Sequence, residues 1–219
     1  MRASTEKKGR VYGGRGARER QRERRRQFMD AGLACFGTRG FANTTVKQLC
    51  AEAGLTERYL YESFANREQL FIEVAAECVT GLMGSLALAK SRSTGSPAEQ
   101  IDGLVEAFFR WFRDDPRRVR IQLIDPILIS PVTQETYTEV TRVFIHFARD
   151  AAMEWYALSL ADRRVDADLM ATMLVGGLIE VAKEWAGTGF ERSLEEVVET
   201  ASLPFHGLSL ALSTRQKAP

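Results

Sequence analysis

The sequence predicts an all-α fold, on three observations. Apolar residues recur at three- and four-residue steps through most of the chain. N-cap residues and glycine stops bound those runs. No stretch shows sustained alternation with hairpin signals, and no internal repeat is present. The runs divide into roughly nine or ten helices. With 219 residues, 45% of them hydrophobic and six prolines, the chain can bury one good core or join a small domain to a larger one.

Residues 1–26 hold eleven Lys/Arg against three Glu, a net +8, whereas the other 193 hold nineteen against twenty-six acidic residues, a net −7. That division suggests a polyanion partner at the basic end and a body that repels it elsewhere. Residues 1 to about 17, rich in glycine and charge, lack apolar periodicity. They are expected to form a disordered arm that lies along phosphates or enters a minor groove, or else an extension without a role.

From about Arg18 the pattern turns helical, with Phe28, Ala31, Cys35 and Phe36 on one face and Arg39-Gly40 as the stop. Thr45, with Gln48 three residues on, predicts a capping box, and Val46, Leu49 and Cys50 face inward until Gly54 ends a short helix. Thr56 has the chemistry of the next N-cap, and Leu60 and Phe64 supply the inner face of a second short helix. Two short helices joined by a tight turn, with Glu57, Arg58, Tyr59 and Tyr61 pointing outward, suit recognition of base edges and phosphates. A hairpin that only contributes core is the blander alternative.

Asn66 and Gln69 begin the next helix, expected to run to about Lys90. Ser96-Pro97-Ala98-Glu99 combines N-cap, proline at N1 and glutamate at N3. Asp115-Pro116 is expected to cap another helix, which Pro126 should break or kink. Ser130-Pro131, Asp166 and Ser193-Leu-Glu-Glu196 open three further helices, the last bent at Pro204.

No apolar run approaches the ~20 residues of a membrane span, and no apolar segment follows the arginine-rich start. A cytoplasmic protein with no membrane partner is expected. Cys35, Cys50 and Cys78 are widely spaced, and His146 and His206 are isolated. Buried reduced thiols are therefore expected, with no metal or cofactor site.

The run Thr-Thr-x-x-x-Leu-Cys-x-x-Ala-Gly-Leu-Thr-x-x-x-Leu-Tyr-x-x-Phe-x-Asn-Arg-Glu-x-Leu from Thr44 to Leu70, with Ala31, Phe36, Gly40 and Phe41 before it, resembles the DNA-binding signature of the tetracycline-repressor (TetR) family of bacterial transcriptional regulators. The resemblance spans about residues 24–72. It implies a three-helix helix-turn-helix domain over 18–72, a linker helix to about 90, a helical effector-binding and dimerisation domain over 73–214, and a short tail at 215–219. Among the DNA-binding positions it implies, Thr45, Tyr61 and Arg67 bind phosphate, Lys47, Glu57, Arg58 and Tyr59 point into the major groove, and Thr56 opens the recognition helix. Arg58 stands where many members have glycine, and Ser63 where they have tyrosine or histidine. The first departure suggests a different operator; the second removes a phosphate contact. Arg58 is the best candidate for direct readout, because a guanidinium can bind guanine O6 and N7 together.

The resemblance further implies a homodimer formed by the last two long helices, with Gly176, Gly177, Leu178, Val181, Val197, Ala201 and Leu208 as candidate seam residues, each equally readable as internal core. A pocket for a small-molecule effector is also implied, with Phe108, Trp111, Phe112, Tyr137, Phe144, Phe147 and Trp155 as candidate lining. The functional expectation is a dimeric repressor that binds palindromic double-stranded DNA and is released by a small, mostly apolar ligand. A DNA-binding protein without an effector and a helical enzyme are the alternatives, the latter disfavoured because no phosphate loop, nucleophile elbow or paired-histidine motif occurs.

Overall fold

The computed structural model describes the backbone of residues 13–163 and 166–213, and side chains over 16–154 and 166–211. Residues 1–12 of the expected arm and the expected tail, 215–219, lie outside the described residues. Within them run ten α-helices and one π-helical stretch, with no strand. In order these are α1 (Gly13–Arg39), α2 (Val46–Ala53), α3 (Glu57–Ser63), α4 (Arg67–Arg92), α5 (Pro97–Asp114), α6 (Arg117–Val119), the π-helical Arg120–Ile124, α7 (Pro126–Ile129), α8 (Pro131–Arg163), α9 (Ala167–Gly187) and α10 (Leu194–Ser213).

Several starts follow directly from local chemistry. Thr45 caps α2 in a full capping box: the Gln48 amide N–H donates to Thr45 Oγ1 at 3.2 Å, and the Thr45 amide donates to Gln48 Oε1 at 2.8 Å. Gly54 ends α2 in the left-handed region at φ 65°, where a side chain is costly. Ser96 and Glu99 form the second box, with Pro97 at N1, and Ser193 and Glu196 the third. Each such cap contributes about 1 kcal/mol. Helix α1 begins at Gly13, inside the segment expected to be an arm: once its apolar face is docked, each upstream residue adds a helical hydrogen bond at little cost. Near Pro126 the chain forms a π-helical stretch and resumes as α7 with that proline at N1, because proline cannot continue the helical bonding of the preceding turn.

Two cores result. Phe28 and Phe36 of α1, Leu49 of α2, Leu60 of α3 and Leu70, Phe71 and Val74 of α4 build the first, where the Phe36, Phe41 and Phe71 rings meet at centroid distances of 5.4–5.6 Å. Leu82 and Leu86 of α4, the inner face of α5, and Val175, Ile179 and Trp185 of α9 build the second. Helix α4 is thus common to both. By length and apolarity Arg67–Arg92 would reach across a membrane, against the expectation that no run does so, but its inner face packs in these two cores.

The stretch from α6 to α7 joins the cores. Ile121 is fully buried in the first, while Val119 and Leu123 belong to the second. The Asp125 carboxylate, itself buried, accepts the Phe41 amide N–H at 2.7 Å and lies 3.5 Å from Arg120 Nη1. Close approach here depends on glycine: a Cβ at Gly37 would sit 2.9 Å from the Arg117 Cα and carbonyl oxygen. All three cysteines are free and buried, and burial pushes the Cys78 thiol up to about 11, so it stays protonated and unreactive near neutrality.

Gly37→Val should lower stability by about 1–3 kcal/mol, the cost of overpacking a rigid contact. Urea unfolding followed by far-UV circular dichroism checks this; an unchanged midpoint would show that α1 and α6 are not in fixed contact.

Candidate functional site

The outer face of α2 and α3 exposes Thr45, Lys47, Thr56, Glu57, Arg58 and Tyr61. The hydroxyl of Thr45 already donates to Gln48 Oε1 at 2.9 Å and must turn from it to meet a phosphate. Thr56 occupies the N-cap position of α3, but its side chain makes no cap hydrogen bond, contrary to the capping expected from its chemistry. The Arg58 side chain is 83% exposed, with Nε 3.0 Å from Glu62 Oε1 one turn on.

Two expected contacts are turned elsewhere. Tyr59 is only partly exposed, packed on the first core with the Arg24 guanidinium 4.3 Å above its ring, so it does not stand free for base readout. Arg67 donates to the Thr44 carbonyl and lies 4.1 Å from the Phe41 ring centroid, which ties the start of α4 to the turn before α2. Its guanidinium braces the domain instead of reaching out.

The basic run of α1 is likewise divided. Arg25 donates to the Ser63 carbonyl at 2.7 Å, stacks 4.5 Å from the Phe64 centroid and pairs with Glu73, while Arg26 pairs with Asp30 and Glu77. These hold the C-terminal end of α3 and the flank of α4 against α1, where cations favour exposed helix carbonyls. Arg18, Arg20 and Arg22 remain exposed, and no carboxylate pairs with them among the described residues. Sequence reasoning missed the internal use of Arg24 and Arg25; their four-residue offset from Phe28 and Met29 placed them one turn from the inner face.

The second core holds a partly open cavity of about 110 Å³ lined almost wholly by apolar groups. Phe108, Phe144 and Phe147 are among the residues that line it. Trp111 does not: its indole N–H donates to Gln122 Oε1 at 2.8 Å, with Arg118 stacked 3.7 Å from its ring centroid. Phe112 is fully buried core, and Tyr137 edges a separate small hollow between α4, the π-helical stretch and α8. The Trp155 side chain lies outside the described residues. What opens the space are small residues, Ala148, Ala151 and Ala152 on α8 facing Ala171 on α9, none of them among the aromatic candidates. That alanine cluster at helical spacing was the available signal.

Between α9 and α10 runs a second groove, edged by Met173, Gly177, Val181, Thr200 and Pro204. Of the expected seam residues, Gly177 and Val181 are exposed and Gly176 is half-buried. Val197 and Ala201 are instead buried in the chain's own core, where α10 packs on α5, although their edges reach the groove. Leu178 and Leu208 line the cavity. His206 is half-buried, with Nε2 2.7 Å from Asp102 Oδ1, whereas His146 is exposed. Glu180 is exposed and paired with Lys183, and it is not part of the cavity lining. No cluster of metal-ligating side chains occurs among the described residues.

The model for bacterial regulatory proteins of the tetR family matches residues 28–74, the first core and its helix-turn-helix. Across most of its length the chain is similar to the HTH-type transcriptional activator FasR of Mycolicibacterium smegmatis, 26% identical over 207 residues, covering 92% of this chain and 90% of that one. Among solved structures it is similar to the fatty acid degradation regulator FadR from Bacillus halodurans, at a TM-score of 0.74 and 18% identity over 87% of this chain and 95% of that one. A transcriptional regulator FadR from Bacillus subtilis, solved in complex with stearoyl-CoA, aligns at a TM-score of 0.71 and 14% identity, covering 81% and 95%. These proteins are regulators, not enzymes. Residues 28–74 thus carry the DNA-binding domain of the tetR family of bacterial regulatory proteins, and the chain as a whole is similar in sequence and fold to helix-turn-helix transcriptional regulators.

Proposed function

We propose that this regulator acts as a homodimer on a palindromic operator and leaves it when a molecule with a long hydrocarbon part enters the body. The observation that carries the ligand class is the cavity wall, which offers hydrocarbon and almost no polar surface. Such a wall binds by apolar burial and leaves any polar head to solvent or to the rim. Two structural neighbours, a fatty acid degradation regulator and a regulator solved in complex with stearoyl-CoA, support the same class. Occupancy switches operator binding only if the ligand prefers the DNA-incompetent arrangement. The regulator without an effector is less well supported, because the body core is not filled by its own side chains.

On the DNA side, Arg58 reads guanine, Lys47, Glu57 and Tyr61 lie along the groove or the backbone, and Thr45 meets a phosphate. Arg18, Arg20 and Arg22, with the arm before them, add phosphate contacts, while Arg67 and Tyr59 hold the domain's shape. The domain boundaries follow the two cores, with α4 shared. A two-fold dimer across the α9–α10 groove would present two such heads to two half-sites. FasR is named an activator, so release on ligand binding is proposed for DNA affinity, and the position of the operator relative to the promoter sets the transcriptional sign.

Selection from a random duplex pool by the full-length protein, at near-physiological salt, should enrich a palindrome containing guanine at symmetric positions. Arg58→Ala should lose the preference at those positions by about tenfold or more; unchanged preference and affinity would remove Arg58 from readout. Stearoyl-CoA, tested within a series of free and CoA-linked fatty acids, should lower affinity for the selected duplex. Ala151→Phe should bind that duplex but no longer respond; if no chain length alters wild-type affinity, the ligand class is wrong. A Cβ at Gly177 meets nothing within 4 Å, so Gly177→Arg should leave the protomer folded. Sedimentation should show it monomeric with weakened operator binding, and a dimer of unchanged affinity would place the interface elsewhere.

A further inference from the structure

Glu62 is a carboxylate on the very helix that faces a polyanion, where a negative charge opposes binding unless it has another task. Its two oxygens lie between guanidinium groups from two helices. Oε1 accepts from Arg58 Nε at 3.0 Å, and Oε2 lies 4.0 Å from Arg24 Nη2 on α1. Arg24 is itself partly buried and fixed, with its Cζ 4.3 Å from the Tyr59 ring centroid. An exposed pair one helical turn apart is ordinarily a weak, solvated contact. Here the second guanidinium, anchored on α1, meets the other carboxylate oxygen.

The atom used matters. Donation from Nε leaves both terminal nitrogens of Arg58 free, and these are the two that reach guanine O6 and N7 end-on. A free arginine side chain loses rotamer freedom when it docks, whereas one already held by its Nε loses less.

We propose that Glu62 is a positioning residue for base readout: Arg24 steadies its carboxylate, and the carboxylate holds Arg58 by Nε so that the terminal nitrogens present a fixed fork to guanine. This inference rests on the proposed role of Arg58. Glu62 thereby sets specificity without touching DNA, and its charge is compensated by the two cations it joins.

Reach and charge are separable by substitution. Glu62→Gln keeps an oxygen at the same reach without the charge; Glu62→Asp keeps the charge but withdraws it by one methylene; Glu62→Ala removes both. Each is compared in the full-length protein with the wild type and Arg58→Ala, by selection from a random duplex pool and by affinity for the selected duplex and its guanine-substituted variants. Discrimination for guanine should fall about tenfold in Glu62→Ala and Glu62→Asp and stay near wild type in Glu62→Gln. Affinity for unrelated duplex should rise in Glu62→Ala and Glu62→Gln alike, because both lose a negative charge. If Glu62→Ala and Glu62→Asp keep full discrimination while Arg58→Ala loses it, Glu62 is only an electrostatic brake and the inference is overturned. Preservation in Glu62→Asp with loss in Glu62→Gln would overturn it as well, since charge and not reach would then be the cause. If Arg58→Ala also keeps discrimination, the assignment of readout to Arg58 fails and this inference falls with it.

Discussion

Helix α4 has to fill two cores at once. Leu70, Phe71, Val74 and Cys78 face the helix-turn-helix, and Leu82 and Leu86 face the body, so a single rigid rod sets the distance between them. A rod alone would leave the two parts free to pivot about its axis. The stretch from α6 to α7 opposes that pivot by placing Ile121 in one core and Leu123 in the other. The Asp125 carboxylate adds direction, because a buried charge is tolerated only while the Phe41 N–H and Arg120 stay in place. Shifting one part against the other would leave that carboxylate short of partners, so displacement is opposed by a specific polar cost as well as by lost packing.

The reading head shows how little a charge total says about binding. The α1 run is strongly basic, yet Arg24, Arg25 and Arg26 are engaged by Tyr59, Glu62, Ser63, Phe64, Glu73 and Glu77. Arginine suits this work because its planar group stacks on rings and donates in several directions at once. Cations left exposed without an ion pair among the described residues include Arg18, Arg20 and Arg22 toward the N-terminus of α1, Arg39 at its C-terminus and Lys47 on α2.

In the body, one helix takes part in two features. Helix α9 gives Ala171, Leu174 and Val175 to the cavity and Met173, Gly177 and Val181 to the outer groove. Leu174 and Leu178 edge both. On the proposed reading, occupancy of the cavity and geometry of the dimer bear on the same backbone, which is a physical route for coupling ligand to the spacing of two reading heads.

The sequence by itself determined the elements that rest on local chemistry. The capping boxes at Thr45, Ser96 and Ser193, the stop at Gly54, the break near Pro126 and the alternation of inner and outer faces all depend on residues within a turn or two of one another. The helix-turn-helix and its family signature were legible for the same reason. Only the tertiary structure decided matters in which distant groups compete for one side chain. Arg67 and Tyr59 have the chemistry of DNA contacts, but Thr44, Phe41 and Arg24 claim them first. Trp111 and Phe112 have the periodicity of a pocket wall, yet the space opened where alanines of α8 met Ala171 of α9. A cavity is the volume left by residues far apart in sequence, and a guanidinium's partner is set by which helix packs against it. Neither is encoded in the spacing of a single segment.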